Sequence, residues 1–139
     1  MKTLKHSKIT GKVIKAFYTV YNTLGYGFLE KVYENAMFIE LEKLGVQCSN
    51  QFPATVYYDD LIVGDFVADI LVEKVVIVEL KAIEKLAPVH ETILVNYLKA
   101  TELEIGLLLN FGPKPEFKRR ILTKEYLLRN LEENDFIEA

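Results

Sequence analysis

Apolar residues recur with two different periods along the chain, and each change of period predicts a new element. Helical spacing runs from Ser7 or Thr10 to Leu24 and again from about Leu29 to Leu44. A glycine directly follows each stretch, which predicts a C-terminal helix end there. The chain is therefore expected to begin with two helices.

Three strand-like runs follow, at Val46–Tyr58, Leu61–Val72 and Val75–Lys81. Pro53 predicts that the first run is an edge strand or has an irregular entry, and Gly64 predicts a bulge or bend in the second. Strict alternation along the second run gives two faces, one with Phe66, Ala68, Ile70 and Val72 and the other with Val67, Asp69 and Leu71.

The second half of the sequence predicts a further helix over about Val89–Ala100, a strand ending near Asn110 and an edge strand over Phe117–Leu122. A strand, a helix and another strand form a unit that is expected to be parallel. A short helix around Glu125–Asn130 and an acidic tail should follow. The whole order predicts a single α/β domain over residues 1–139, with a mixed central β-sheet flanked by helices.

Three charged residues interrupt the most apolar part of the chain. Asp69 lies in one strand-like run, and Glu79 and Lys81 lie two residues apart in the next. Carboxylates are rarely buried without a cation or a metal. The pattern fits a divalent-metal site beside a lysine, although an ordinary ion pair at the end of two strands would give the same spacing. Glu30 is open to two interpretations as well, because helix dipoles favour a carboxylate in a first turn.

The metal-site hypothesis makes a prediction about strand register. A two-residue turn would point Glu79 to the opposite face from Asp69, because paired residues in a hairpin share a face. A three-residue loop over Glu73–Val75 pairs Val72 with Val76 and places Asp69 opposite Glu79. The hypothesis therefore predicts an odd register.

Composition restricts the class of protein. The chain has 139 residues, of which 50% are hydrophobic, and a net charge of −3, which argues against a surface coated in positive charge. Cys48 is the only cysteine, and no apolar run approaches the roughly 20 residues of a membrane span. We expect a soluble, cytoplasmic protein without a membrane partner.

Several short motifs occur together in order. Residues 27–33 read GxxExxY, and Ala68–Ile70, Val78–Lys81, Asn96–Ala100 and Gly106–Gly112 follow at characteristic spacing. Together they resemble the GxxExxY protein family, a set of small prokaryotic proteins assigned to the PD-(D/E)XK nuclease superfamily. The resemblance covers roughly residues 8–123 and implies a restriction-endonuclease-like sandwich.

The resemblance also implies a site. Asp69, Glu79, Glu30 and the backbone carbonyl of Leu80 would bind Mg²⁺ or Mn²⁺, hard cations that prefer oxygen ligands. Lys81 would position the attacking water or stabilise charge on the phosphate. The family usually has a glutamine where this chain has Ile93.

Seven further residues are candidates for nucleic-acid contact or for support of the site: Tyr33, His90, Tyr97, Lys85, Lys118, Arg119 and Arg120. Lys99 is a further candidate for a backbone phosphate contact. The basic cluster could equally be a solvated edge strand protected by charge.

Three functional classes remain open at this stage. The chain is a metal-dependent nuclease acting on DNA or RNA, an impaired module that binds nucleic acid or protein, or a fold with a buried ion network. A homodimer formed through the first helix or the FKRRIL segment is a further candidate feature.

Overall fold

The structure is a computed structural model, and it describes residues 6–123. Within this range the elements are α1 (Ser7–Leu24), α2 (Glu30–Lys43), β1 (Cys48–Tyr58), β2 (Leu61–Val72), β3 (Val76–Lys81), α3 (Pro88–Thr101), β4 (Ile105–Phe111) and β5 (Pro115–Ile121). They match the predicted order. The predicted helix around residues 125–130 and the acidic tail lie outside the described residues.

The five strands form one mixed sheet in the order β1-β2-β3-β4-β5. The first three strands are an antiparallel meander, β3 and β4 are parallel and joined by α3, and β5 returns antiparallel to β4. The predicted α/β sandwich around a mixed sheet is therefore confirmed. Strand β1 is an edge strand, as Pro53 predicted.

Helix ends place Glu30 beside the sheet. Gly25 ends α1 with φ of 67° and donates its N–H to the Tyr21 carbonyl. The chain turns through Gly27, whose φ is 115°, and α2 begins at Glu30. A left-handed backbone of this kind favours glycine, so the short turn between the two helices depends on these positions.

The sheet is covered on both faces. Helices α1 and α2 pack on one face, where Phe17, Tyr33 and Phe111 form the aromatic centre of the larger core. Helix α3 packs Leu94 and Leu98 on the other face. Strands β3 and β4 are consequently buried almost throughout, as their unbroken apolar sequence indicates.

The β2–β3 hairpin has the odd register that the metal-site hypothesis predicted. Val72 pairs with Val76, and a three-residue loop joins them. Glu73 and Lys74 in this loop have φ of 51° and 61°. The prediction of a three-residue connection is confirmed, and it orients every side chain of β3.

Strict alternation along β2 was wrong at Asp69. Ala68 and Leu71 lie in the core beneath α3, whereas Ile70 lies in the core beneath α1 and α2. Gln51, on the β1 segment opposite Asp69, has a left-handed backbone with φ of 53°. This conformation interrupts the regular pleat of the β1–β2 pair. As a result, Ala68 and Ile70 face opposite sides of the sheet although they are two residues apart.

A second irregularity lies near Gly64, where a bulge or bend was predicted. The pairs Val56–Gly64 and Tyr57–Ile62 leave Val63 as an extra residue in β2. A Cβ at position 64 would approach Phe66 to 2.8 Å, so glycine suits this crowded position. The predicted bulge is confirmed.

Candidate active site

The carboxylates of Asp69 and Glu79 each accept a backbone N–H from the opposite strand of the β2–β3 hairpin. The Asp69 N–H donates to Oε1 of Glu79 at 2.8 Å, and the Leu80 N–H donates to Oδ2 of Asp69 at 2.8 Å. The regular strand pairs end one residue earlier, at Ile70 and Val78. The two carboxylates thus take the place of backbone acceptors and hold the strands together where the ladder opens.

Burial and mutual repulsion raise the pKa of the carboxyl groups in this region. The pKa of Glu79 rises to about 8, first because of burial and then because of the negative charge of Asp69. Burial also raises the pKa of Asp69 and of Glu30, and Asp69 adds to the effect on Glu30. The α2 N-terminus therefore brings a third carboxylate into the field of the hairpin pair.

Lys81 supplies positive charge to this group. It ends β3, is half-buried, and shares its strand with Glu79. Its charge opposes the upward shift in the pKa values of Glu30, Asp69 and Glu79. The structure thus brings together all four residues that the sequence predicted as catalytic.

A cleft beside the carboxylates contains a residue that sequence reasoning missed. The cleft measures about 270 Å³ and is lined by Glu30, Lys31, Glu34, Gln51 and Asp69. Glu34 is buried, forms an ion pair with Lys31 and accepts a hydrogen bond from Gln51 at 3.1 Å. The sequence feature that could have identified Glu34 is its position four residues after Glu30, because residues at that spacing share a helix face.

Tyr97 approaches the carboxylates from α3. It is half-buried and lies 6.0 Å from Phe66 between ring centroids. Burial raises the pKa of its hydroxyl, and the charges of Glu79 and Asp69 raise it further. Ile93 lies one helical turn before Tyr97 and is 37% exposed.

Tyr33 is fully buried and supports the site from within. Its ring stacks on Phe111 at 4.3 Å, and its hydroxyl donates to the Gly25 carbonyl at 2.7 Å. The Phe28 N–H donates to the same hydroxyl at 3.3 Å. Tyr33 therefore presents no surface to nucleic acid, and it fixes the turn that leads into Glu30.

The loop after Lys81 is held by side chains from α3 and β4. His90 accepts the Ala87 N–H at Nδ1, at 2.9 Å, and so stabilises the start of α3. Asn110, which sequence reasoning left without a role, is fully buried and bonds both backbone groups of Ile83 at 3.0 Å. Lys85 is exposed in this loop.

The predicted basic cluster lies on β5, two strands from β3. Lys118 is exposed, whereas Arg120 is paired with Glu91 and Arg119 donates to the Thr10 hydroxyl at 3.4 Å. Neighbouring residues of a strand point to opposite faces, so these side chains diverge. The structure does not bring the cluster together with the carboxylates.

The donor set suits a hard divalent cation. Only one oxygen of Asp69 and one of Glu79 accept hydrogen bonds among the described residues, so each carboxylate has a second oxygen for a ligand. A nearby cation would also relieve the crowded negative charge that raises the three pKa values. Within residues 6–123 no group of three or more His, Cys, Asp or Glu side chains is already arranged around a common metal position.

Sequence comparison identifies the family. The family model for the PD-(D/E)XK nuclease superfamily matches residues 7–120. The chain belongs to this superfamily. No curated protein matches it in sequence.

Two solved structures resemble this superfamily member in fold. One is described as the crystal structure of SSO0001, with a TM-score of 0.54 and 14% identity over 96% of this chain and 68% of that one. The other is an alkaline exonuclease (LHK-Exo) from Laribacter hongkongensis, with a TM-score of 0.52 and 8% identity over 94% of this chain and 77% of that one. None of the helices within residues 6–123 has the length and apolar character needed to cross a membrane.

Proposed function

We propose that this superfamily member is a divalent-metal-dependent nuclease of the GxxExxY group that hydrolyses phosphodiester bonds in DNA or RNA. The observation that carries the proposal is the pair of backbone hydrogen bonds that the Asp69 and Glu79 carboxylates accept across the hairpin, an arrangement that depends on the odd register. A buried carboxylate such as Glu79 beside a half-buried one such as Asp69 destabilises a fold unless a cation offsets their charge. The family match and the fold likeness to an exonuclease support the same activity.

The metal would be held by Asp69, Glu79, Glu30 and the Leu80 carbonyl. Mg²⁺ or Mn²⁺ bound there would lower the pKa of a bound water and neutralise charge on the scissile phosphate. The hydrogen bonds across the hairpin fix the two β-strand carboxylates before a ligand arrives. The Tyr33 contacts fix the helix start that presents Glu30.

Lys81 would act on the substrate. Its charge lowers the pKa of each of the three carboxyl groups, so it lies close to the proposed metal ligands. From there it donates hydrogen bonds to the attacking water or to a non-bridging phosphate oxygen. Either contact stabilises the charge that develops as the phosphorus–oxygen bond breaks.

Ile93 favours a second candidate function. Its apolar side chain lies one turn from Tyr97 on the helix that faces the site, where the resemblance leads one to expect a glutamine. Isoleucine neither donates nor accepts a hydrogen bond, so one polar contact to substrate or water is missing. The alternative is a catalytically impaired module that binds nucleic acid or a protein partner.

A cleavage assay separates these functions. Single- and double-stranded DNA and RNA are incubated with the protein and Mg²⁺ or Mn²⁺, beside Asp69→Asn and Lys81→Met. We expect cleavage by the wild type and a loss of about 100-fold or more in each variant. Lys12→Met, which changes an exposed lysine of α1, is the matched control and should keep its activity. Oligonucleotide binding without cleavage by the wild type would select the impaired module.

A further inference from the structure

The outer half of the β1–β2 hairpin extends beyond the sheet. Strand β2 pairs with β3 only at Ile70–Val72, so within the described residues the segment 55–67, here called the arm, has strand partners only in the β1–β2 hairpin itself, and Phe66 also contacts Tyr97 of α3. The arm exposes a set of large apolar side chains: Val56, Tyr57, Tyr58, Leu61, Ile62, Val63, Phe66 and Val67. Tyr58 and Leu61 are 70% and 69% exposed. An isolated two-stranded ribbon is marginal in water, and an apolar patch of this kind marks a binding surface.

The charges of the arm restrict its partner. No lysine or arginine occurs between Lys43 and Lys74, whereas Asp59, Asp60 and Asp65 lie in the arm. A surface with this charge repels phosphate, which disfavours nucleic acid and anionic lipid. The arm therefore suits a protein surface.

Within the described residues the outer edge of β1 has no partner strand, and this edge is unusual in its lack of charge. Strand β1 contains no charged residue over Cys48–Tyr58, although edge strands are normally protected by lysine or other charges. The opposite edge, β5, has that protection in Lys118, Arg119 and Arg120. An uncharged edge can pair with an identical copy of itself without repulsion.

We infer that the arm is the interface of a homodimer in which β1 of one molecule pairs antiparallel with β1 of a second copy. Pro53 interrupts backbone pairing, so the pairing segment is Ala54–Tyr58, whose centre is Val56. A two-fold axis there sets Asp59 opposite Pro53 of the second copy rather than opposite another aspartate. The exposed apolar side chains of the arm supply the further contact area.

The sequence suggested two other dimer surfaces, the first helix and the FKRRIL segment, and these remain untested predictions. The apolar face of α1 is buried in the larger core, and the β5 edge carries three cations. Both surfaces expose fewer large apolar side chains than the arm does, namely Tyr18 on α1 and Phe117 and Ile121 on β5. The arm interface is independent of the metal site and of the proposed nuclease activity.

Analytical ultracentrifugation of two variants with opposite charges at Val56 tests the interface. Val56→Lys and Val56→Glu each set like charges opposite each other at the axis, while an equal mixture sets opposite charges there. The wild type should be dimeric in the micromolar range, each variant should weaken the dimer about 100-fold or more, and the mixture should recover dimers. Ile39→Lys, which changes an exposed residue of α2, should behave as wild type.

Three results would overturn the inference. These are a wild type that remains monomeric up to about millimolar concentration, a dimer that is indifferent to charge at Val56, and arm-dependent binding of oligonucleotides or vesicles by a monomer. Hydrogen exchange of the wild type is a second test, and it does not depend on whether the variants fold. Amide protection at residues 54–58 should rise with protein concentration, and constant protection would contradict the interface.

Discussion

Glu79 is a buried carboxylate in a strand whose other residues up to Leu80 are apolar. Its pKa of about 8 in the folded protein exceeds the ordinary value of 4.5. Between these values the folded state binds a proton that the unfolded state has released. The contribution of Glu79 to stability is therefore full below pH 4.5 and is lost as the pH rises through about 8.

The first prediction follows from the direction in which Glu79 makes stability depend on pH. Without divalent metal, the free energy of unfolding of the wild type should decrease by a few kcal/mol between pH 5 and pH 9, and Glu79→Gln should remove most of that decrease. Urea unfolding in the presence of a chelator measures both slopes. Glu84→Gln, at an exposed position, is the control. Parallel slopes for the wild type and Glu79→Gln would mean that Glu79 ionises normally.

Ile93 gives a second prediction at the scale of one residue. Its side chain is 37% exposed, so Ile93→Gln should fold normally. If one hydrogen bond to water or phosphate is restored, kcat/KM for oligonucleotide cleavage should rise about threefold to tenfold. Val89→Gln, at another exposed apolar position of α3, should have no such effect. A fall in kcat/KM for Ile93→Gln would show that the apolar residue itself serves the site.

The sequence predicted the charged residues of the site because they interrupt apolar strands. Asp69, Glu79 and Lys81 stand out for that reason, and Glu30 stands out only through its motif. Two residues were not predicted: Glu34, which lines the cleft, and Asn110, which holds the loop after Lys81. Both are buried, but burial of a polar residue in a helix or at a strand end depends on contacts from distant segments.

At the scale of elements, the turn between α1 and α2 depends on Tyr33. Its hydroxyl bonds Gly25 and Phe28, at the two ends of the turn before Glu30. The β2–β3 loop has a similar importance, because its length sets the face of Glu79. This register was predictable from the metal-site hypothesis, whereas the exchange of faces at Asp69 was not. That exchange depends on the conformation of Gln51, for which the sequence has no signal.

The third prediction concerns this turn. Tyr33→Phe removes both hydrogen bonds and should lower the free energy of unfolding by about 1–2 kcal/mol. It should also weaken Mn²⁺ affinity, because Glu30 is no longer held in place. Tyr21→Phe is the matched control, since its hydroxyl donates to the Gly112 or Pro113 carbonyl and makes no hydrogen bond to the turn before Glu30. If the two variants bind Mn²⁺ with equal affinity, Tyr33 does not hold Glu30 in position for metal binding.

At the scale of the whole molecule, the two edges of the sheet differ in charge. Strand β5 carries three cations, and the β1–β2 arm carries none. The order of elements and the mixed sheet were predictable from hydrophobic periods and turn residues. The projection of the arm was not, because alternation in a sequence does not show which strands lack a neighbour.

The fourth prediction uses this difference. Lys118→Ala should weaken nucleic-acid binding modestly and reduce the slope of log affinity against log salt by about one. Tyr57→Ala, in the arm, should leave that slope unchanged. Fluorescence anisotropy over a salt series measures both. An unchanged slope in Lys118→Ala would remove β5 from the nucleic-acid surface.

The most direct test of the metal centre is calorimetric titration with Mn²⁺ of the wild type beside Asp69→Asn. We predict one class of site in the wild type, with affinity reduced at least about tenfold in the variant. Glu91→Gln, outside the carboxylate group, should bind as the wild type does. The contradicting result is a wild type that binds no Mn²⁺ even with a non-cleavable oligonucleotide present. Asp69 and Glu79 would then only hold the hairpin together, and the proposed nuclease activity would be wrong.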